Sequence, residues 1–284
     1  MKKIAIIILL FCFYTSKAQV EAPRYFIKNI EANSALSNFG AAYYGEDKLI
    51  FATPAKRNYI ISNVWKGNNQ PYLDLYVGTI TEEGGLKDVQ KFSDVVNTKF
   101  HEADVAFSKD LKTVYFTRSN YFEGKYGKDS LGVNRLKMFK AVQDASGNWS
   151  TILNMPFNND NYSVGHPTLS EDQKTLYFIS DMPGTLGKTD IFKVAVNDDG
   201  SYGIPVNLGP DINTPEKEMF PFIAGNDELY FSSEGRGGLG MLDVFMSKLT
   251  KNGVESTIHL EEPINSDKDD LGFIINKNIV AGLV

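Results

Sequence analysis

Three aspartates stand in a common setting: Asp74 before Leu75-Tyr76, Asp190 before Ile191-Phe192 and Asp243 before Val244-Phe245. Carboxylates repeated in this way could ring a central channel and attract a cation. The same residue type at a strand start also accepts turn N–H groups, and repetition from copy to copy suits that scaffold role. Glu102 and Asp104 offer a different chemistry, since paired carboxylates at a channel mouth are what glycoside hydrolysis needs. Neither has an equivalent in the neighbouring segments. The three histidines, His101, His166 and His259, share no common position; the repeats align His166 with Asp104. A metal cluster or a histidine-based triad is therefore not expected. The glycine-rich stretch 234–243 lies between two apolar runs, whereas a phosphate cradle needs a helix N-terminus, so it reads as a hairpin loop. Asp110 in "SKDLKT" and Asp172 in "SEDQKT" read as turn residues with Lys112 and Lys174 solvated beside them. Arg57 and Arg236 fall on loops after second strands, where an exposed cation could meet a partner. No catalytic, cofactor-binding or metal-ligating residue is expected, and no cofactor.

The elements that carry these residues repeat. Gly147, Gly200 and Gly253 are spaced by 53, as are Phe139, Phe192 and Phe245, and the pairs Tyr177-Phe178 and Tyr230-Phe231. Tyr76 and Gly84 each lie 63 before Phe139 and Gly147, so an earlier copy exists with longer hairpins; residues 53–74 and 119–137 are enlarged loops. Each copy holds four short runs rich in Val, Ile, Phe and Tyr, bounded by Gly, Asp and Asn. In the third copy they are "HPTLS", "TLYFIS", "DIFKVAV" and "YGIPVNL". Such runs are strands in hairpins. Four antiparallel strands per repeat predict an all-β fold, a β-propeller of four-stranded blades. One blade cannot bury both faces alone and needs a neighbour on each side.

The blades are expected at about 37–97, 101–159, 164–213 and 217–265. Adding 53 to Phe220 and Phe231 reaches Phe273 and Val284, so 269–284 reads as an incomplete fifth blade. Residues 24–34 read as a strand that closes a ring. Asn33-Ser34, Asn213-Thr214 and Asn265-Ser266 occupy like positions. The sequence is expected to be a piece of a longer protein with a larger ring.

Residues 1–18 read as a secretory leader. Lys2 and Lys3 precede an apolar run from Ile4 to Tyr14, and Ser16-Lys17-Ala18 resembles a cleavage site. Lipidation of Cys12 is the runner-up; Leu10-Phe11 before it fits poorly. Cys12 is the only cysteine, so the mature chain forms no disulfide. Removing the leader leaves 26 basic against 35 acidic residues, a net charge of −9. That disfavours nucleic acid, which rewards clustered Lys and Arg.

Residues 165–192 and 207–245 closely resemble WD40-like propeller repeats of the TolB type. More narrowly they are similar to those of OmpA-family envelope proteins of Bacteroidetes-like bacteria. "SNFGAAYYGEDKLIFAT" matches the opening blade of the same proteins. The resemblance implies an exported, periplasmic binding scaffold associated with the outer membrane, with envelope or outer-membrane proteins as partners. It implies peptidoglycan contact only through a C-terminal domain that this sequence does not contain. The alternatives are a propeller hydrolase or glycosidase, for which no Gly-x-Ser-x-Gly hydrolase motif is found, and a non-functional fragment of a longer envelope protein.

Overall fold

The computed structural model describes residues 29–33, 36–55, 64–276 and 281–283. The expected leader, Arg57 and most of the strand expected over 24–34 lie outside them. Residues 29–33 form a turn in which the Asn33 N–H donates to the Ile30 carbonyl at 3.0 Å.

Four antiparallel sheets follow one another along the chain. The first contains β1 (Phe39–Tyr44), β2 (Lys48–Pro54), β3 (Leu73–Ile80) and β4 (Leu86–Lys91). The second contains β5 (Glu102–Phe107), β6 (Thr113–Ser119), β7 (Leu136–Gln143) and β8 (Trp149–Asn154). The third contains β9 (Val164–Leu169), β10 (Thr175–Ser180), β11 (Asp190–Ala195) and β12 (Val206–Asn207). The fourth contains β13 (Glu218–Ala224), β14 (Glu228–Ser233), β15 (Asp243–Thr250) and β16 (Ile258–His259), and the short Gly253–Val254 also pairs with β15. A two-stranded hairpin follows, β17 (Ile274–Asn276) with β18 (Ala281–Leu283). Within each sheet the strands lie side by side in chain order. The first strand of each sheet packs on the first strand of the next, and β17 packs on β13. This is a β-propeller of four blades with one further hairpin. The long loops at 53–74 and 119–137 carry small hairpins of their own, Val64–Trp65 with Gln70–Pro71 and Tyr121–Phe122 with Lys125–Tyr126.

The periodic aromatics explain why the blades repeat. In every blade one ring on the second strand faces one on the third: Phe51 and Tyr76, Phe116 and Phe139, Phe178 and Phe192, Phe231 and Phe245. Their centroids lie 5.9–6.5 Å apart. Phe116 and Phe178 are fully buried, and burying each such ring contributes about 2–3 kcal/mol. The core is divided into clusters that lie between neighbouring blades. Leu75 and Phe139 share one, Phe116's neighbour Tyr115 shares a second with Phe178, and Ile179 shares a third with Phe231. A fourth joins Tyr230 and Val244 to Phe273. No blade owns a complete core, as the stacking logic requires.

The final copy is aligned one residue differently from the sequence reading. Asn213 to Asn265 is 52 residues, because Phe245 to Asn265 is 20 where Phe192 to Asn213 is 21. Gly272, not Phe273, is therefore the counterpart of Phe220.

Candidate functional site

Each blade is fastened to the next by the same polar device. An asparagine after the last strand bonds both backbone groups of one residue on the third strand. Asn97 accepts from Leu75 N–H (2.7 Å) and donates to its carbonyl (3.0 Å). Asn158 does so with Met138, Asn213 with Ile191 and Asn265 with Val244. Five residues on, an acid opens the next blade. Glu102 accepts from the backbone and hydroxyl of Thr98 (2.9 and 2.6 Å). Glu218 does the same with Thr214 (2.8 and 2.7 Å) and Asp270 with Ser266. The repeat of Asn213 and Asn265 was visible in the sequence; Asn97, 21 residues after Tyr76 as Asn213 is after Phe192, and Asn158, 19 after Phe139, were not recognised there.

Most of the other candidate carboxylates serve local structure. Asp190 is fully buried and accepts from Leu186 N–H (2.6 Å), Gly187 N–H (3.2 Å) and the Asn207 amide (2.6 Å). Asp243 accepts from Leu239 N–H (2.7 Å) and Gly240 N–H (3.2 Å). Asp74 pairs with Lys91 at 3.7 Å. None of the three lines the axial cavity, so they organise loops rather than ring a channel. The position is also not an aspartate in every copy: Lys137 holds it in the second blade and donates to the Tyr162 carbonyl at 2.8 Å. Burial lowers the Lys137 ammonium to about 8. Asp110 and Asp172 each accept from a serine hydroxyl two residues back (2.6 Å) and close a hairpin turn. Arg236 is half-buried, not exposed. It donates to the carbonyls of Asp211 (2.6 Å) and Ile212 (2.8 Å), across from the preceding blade.

Glu102 and Asp104 do not act as a pair. Glu102 is fully buried, 3.0 Å from the Arg118 guanidinium, and does not line the cavity. Burial pushes its carboxyl up to about 7, against the pull of Arg118 and Thr98. Asp104 turns to the axis instead. The reason is a bulge, which re-aims a side chain. The first strand of every blade is bulged at the same place, between Phe39 and Ala42, Ala103 and Val105, Gly165 and Thr168, and Met219 and Phe222. The residue inside each bulge has left-handed backbone: Gly40 (φ 65°), Asp104 (45°), His166 (50°) and Phe220 (50°). Gly272 (φ 72°), just before β17, repeats the conformation. Three of these are not glycine, and such residues cost about 1–3 kcal/mol each where the surroundings enforce them.

These five residues meet in order around the axis. A Cβ on Gly40 would lie 2.5 Å from Asp104 Oδ1, so glycine is needed there. Asp104 Oδ2 lies 3.4 Å from His166 Nε2. The His166 ring stacks on Phe220 at 4.2 Å, and Phe220 N–H donates to His166 Nδ1 at 3.2 Å. A Cβ on Gly272 would lie 3.8 Å from Gly40 N. The ring lines one end of a cavity of about 680 Å³. Its walls continue through Ala41, Ala106, Thr168, Phe222 and Ile274, and its mouth is formed by turns that include Lys109, Glu171 and Asn226. Burial raises the Asp104 carboxyl and lowers the His166 imidazole, each opposed by the other's charge. Since Nδ1 accepts a backbone N–H, the ring proton sits on Nε2, toward Asp104.

Of the remaining histidines, His101 Nδ1 accepts from Leu73 N–H (3.2 Å), and its ring packs on Trp65 and Tyr72. His259 lies 3.7 Å from Asp243. Among the described residues no three His, Cys, Asp or Glu side chains converge as a metal site would require. The alignment of His166 with Asp104 was visible in the sequence. The places of Gly40, Phe220 and Gly272 beside them were not.

No family model matches the chain, and no curated protein matches it. Several solved structures are similar. A puromycin hydrolase superposes with a TM-score of 0.42 at 14% identity, over 78% of this chain and 39% of that one. A protein assigned as TolB from Agrobacterium tumefaciens gives 0.44 at 14%, over 78% and 65%. An α-L-arabinofuranosidase from Lactobacillus brevis gives 0.45 at 11%, over 85% and 80%. The chain thus spans less than two thirds of the hydrolase and of TolB. Hydrolases and TolB stand side by side at these values, which carry no argument about activity.

Proposed function

We propose that the chain is a non-enzymatic binding module, exported to the periplasm as the propeller of an OmpA-family envelope protein, which holds a segment of a partner protein in its axial cavity. The observation that carries this reading is the bulge ring. One backbone position, repeated around the axis, presents an aspartate, a histidine and a phenylalanine from three successive blades into a cavity of about 680 Å³. A scaffold would be served by glycine at all five places. Loops and concave surfaces on a rigid frame are where binding resides. The leader pattern at 1–18 and the likeness of 165–192 and 207–245 to envelope propeller repeats support the location and the class of partner.

A hydrolase reading would draw on Asp104 and His166. Their geometry opposes it: Nδ1 is occupied by Phe220 N–H and Nε2 faces Asp104. Neither nitrogen is placed to take a proton from a nucleophile. The test is selection of peptides from a displayed random library by the purified protein, with Ala41→Trp as the cavity-filling control. Peptides that bind the native protein and not the variant support the reading. Turnover of aryl glycosides or peptidyl amides that Ala41→Trp abolishes would replace it with a hydrolase.

A further inference from the structure

Resting on the reading of the cavity as a binding site, we propose that its ring end receives an organic ammonium group carried on an extended peptide, with Asp104 as the counter-ion and the His166–Phe220 stack as the adjoining aromatic face. The Asp104 side chain is 8% exposed and lines the cavity. Among the described residues no lysine or arginine pairs with it. Its side-chain partner there is His166 Nε2, at a long 3.4 Å. A carboxylate accepts about four hydrogen bonds, so capacity is left for a ligand.

The histidine does not neutralise it. Protonating Nδ1 would break the bond from Phe220 N–H and turn an acceptor into a second donor. The imidazole therefore stays neutral and directs its single N–H at Asp104. A neutral ring stacked at 4.2 Å on Phe220 does not repel a cation. The aromatic face instead attracts it. The other charged groups of the cavity, Lys109 and Glu171, lie on the turns at its mouth and are of opposite sign. Among the described residues lining the cavity, Asp104 thus supplies the only charge at the ring end. Burial raises its carboxyl, and an ammonium beside it would restore the ionised form. An alkyl end would gain nothing from it, and an alcohol would gain a hydrogen bond without neutralising the charge. The group could come from a lysine side chain or from a free amino terminus.

Three hexapeptides of common apolar sequence separate these sources. One has a free amino terminus and no lysine. One is acetylated and carries a lysine. One is acetylated with norleucine in place of the lysine. Titration at pH 7.5, read by amide chemical shifts, is expected to move Gly40, Asp104, His166 and Phe220 with at least one ammonium-bearing peptide. That peptide should bind at least about tenfold more tightly than the norleucine peptide, and Asp104→Asn should erase the difference. Asparagine tolerates left-handed backbone, and the peptide comparison on the native protein does not depend on the variant. Equal binding of all three peptides overturns the ammonium while leaving the binding cavity intact. Shifts at no cavity residue with any peptide overturn both.

Discussion

The junctions between blades and the ring at their axis are both repeated, and they treat repetition in opposite ways. At the junctions the residues repeat with the geometry: Asn97, Asn158, Asn213 and Asn265 make the same two bonds. At the axis the geometry repeats and the residues do not: Gly40, Asp104, His166, Phe220 and Gly272 share one backbone conformation. A position whose chemistry is set by folding keeps its residue type. A position that varies on a constant backbone, and accepts left-handed strain to do so, is answering to something besides the fold. The second blade sharpens the contrast. There Lys137 replaces the usual aspartate, and at its junction with the third blade Ser163 stands where Glu102 and Glu218 open theirs.

The largest effect should come from the junctions. Asn213→Ala leaves the Ile191 N–H unpaired, takes one of two donors from the Ile191 carbonyl, which keeps the Leu208 N–H, and removes the donor to Asn207 Oδ1, at a site only 2% exposed. Each unmade bond costs about 1–3 kcal/mol, so the variant is expected to lose about 4 kcal/mol in urea unfolding. Asn158→Ala removes the same two bonds at a half-buried site, where water can replace them. It should lose about 1–2 kcal/mol. Equal losses would show that the blades are not held by desolvated asparagines.

Glu102 gives the next effect, and it depends on pH. Its carboxyl is raised from 4.5 to about 7 by burial. The native state therefore keeps a proton that the unfolded chain has released, and stability falls as pH climbs between those values. The loss amounts to up to about 3 kcal/mol. Glu102→Gln should flatten this part of the profile, measured by unfolding at pH 5 and pH 8. An unchanged slope would mean that Arg118, 3.0 Å away, outweighs desolvation.

The same contrast explains what the sequence disclosed. Blade number and strand order were legible because Phe139, Phe192 and Phe245 and the turn glycines keep one period, and each is required by packing or turn geometry in every copy. The junction motif was half legible: Asn213 and Asn265 stood out, whereas Asn158 falls two residues short of the 21-residue spacing from the third-strand aromatic that Asn97 and Asn213 keep. The ring was nearly illegible. Left-handed backbone is announced by Gly40 and Gly272, but no propensity places Phe220 there, and that of histidine is too weak to single out His166. A bulge also breaks the alternation from which Glu102 and Asp104 would be read as neighbours on one face.

The smallest effect belongs to the ring and has the opposite sign to the first. Asp104→Asn keeps the shape of the side chain and suits a φ of 45°. It removes a carboxyl that burial raises and that His166 offsets only in part. A raised carboxyl destabilises the native state once pH exceeds its unfolded value, and the penalty grows until the folded group has ionised. The variant should therefore be at least as stable as the native protein at pH 8. Its advantage should shrink as pH falls toward about 4, where the unfolded aspartate takes up its proton. Urea unfolding at pH 4, 6 and 8 reads this directly. A variant that is less stable at pH 8 would make Asp104 a structural partner of His166, of one kind with the junction residues. A variant that is more stable, yet blind to ammonium peptides, would separate the ring from the junctions by energy as well as by sequence.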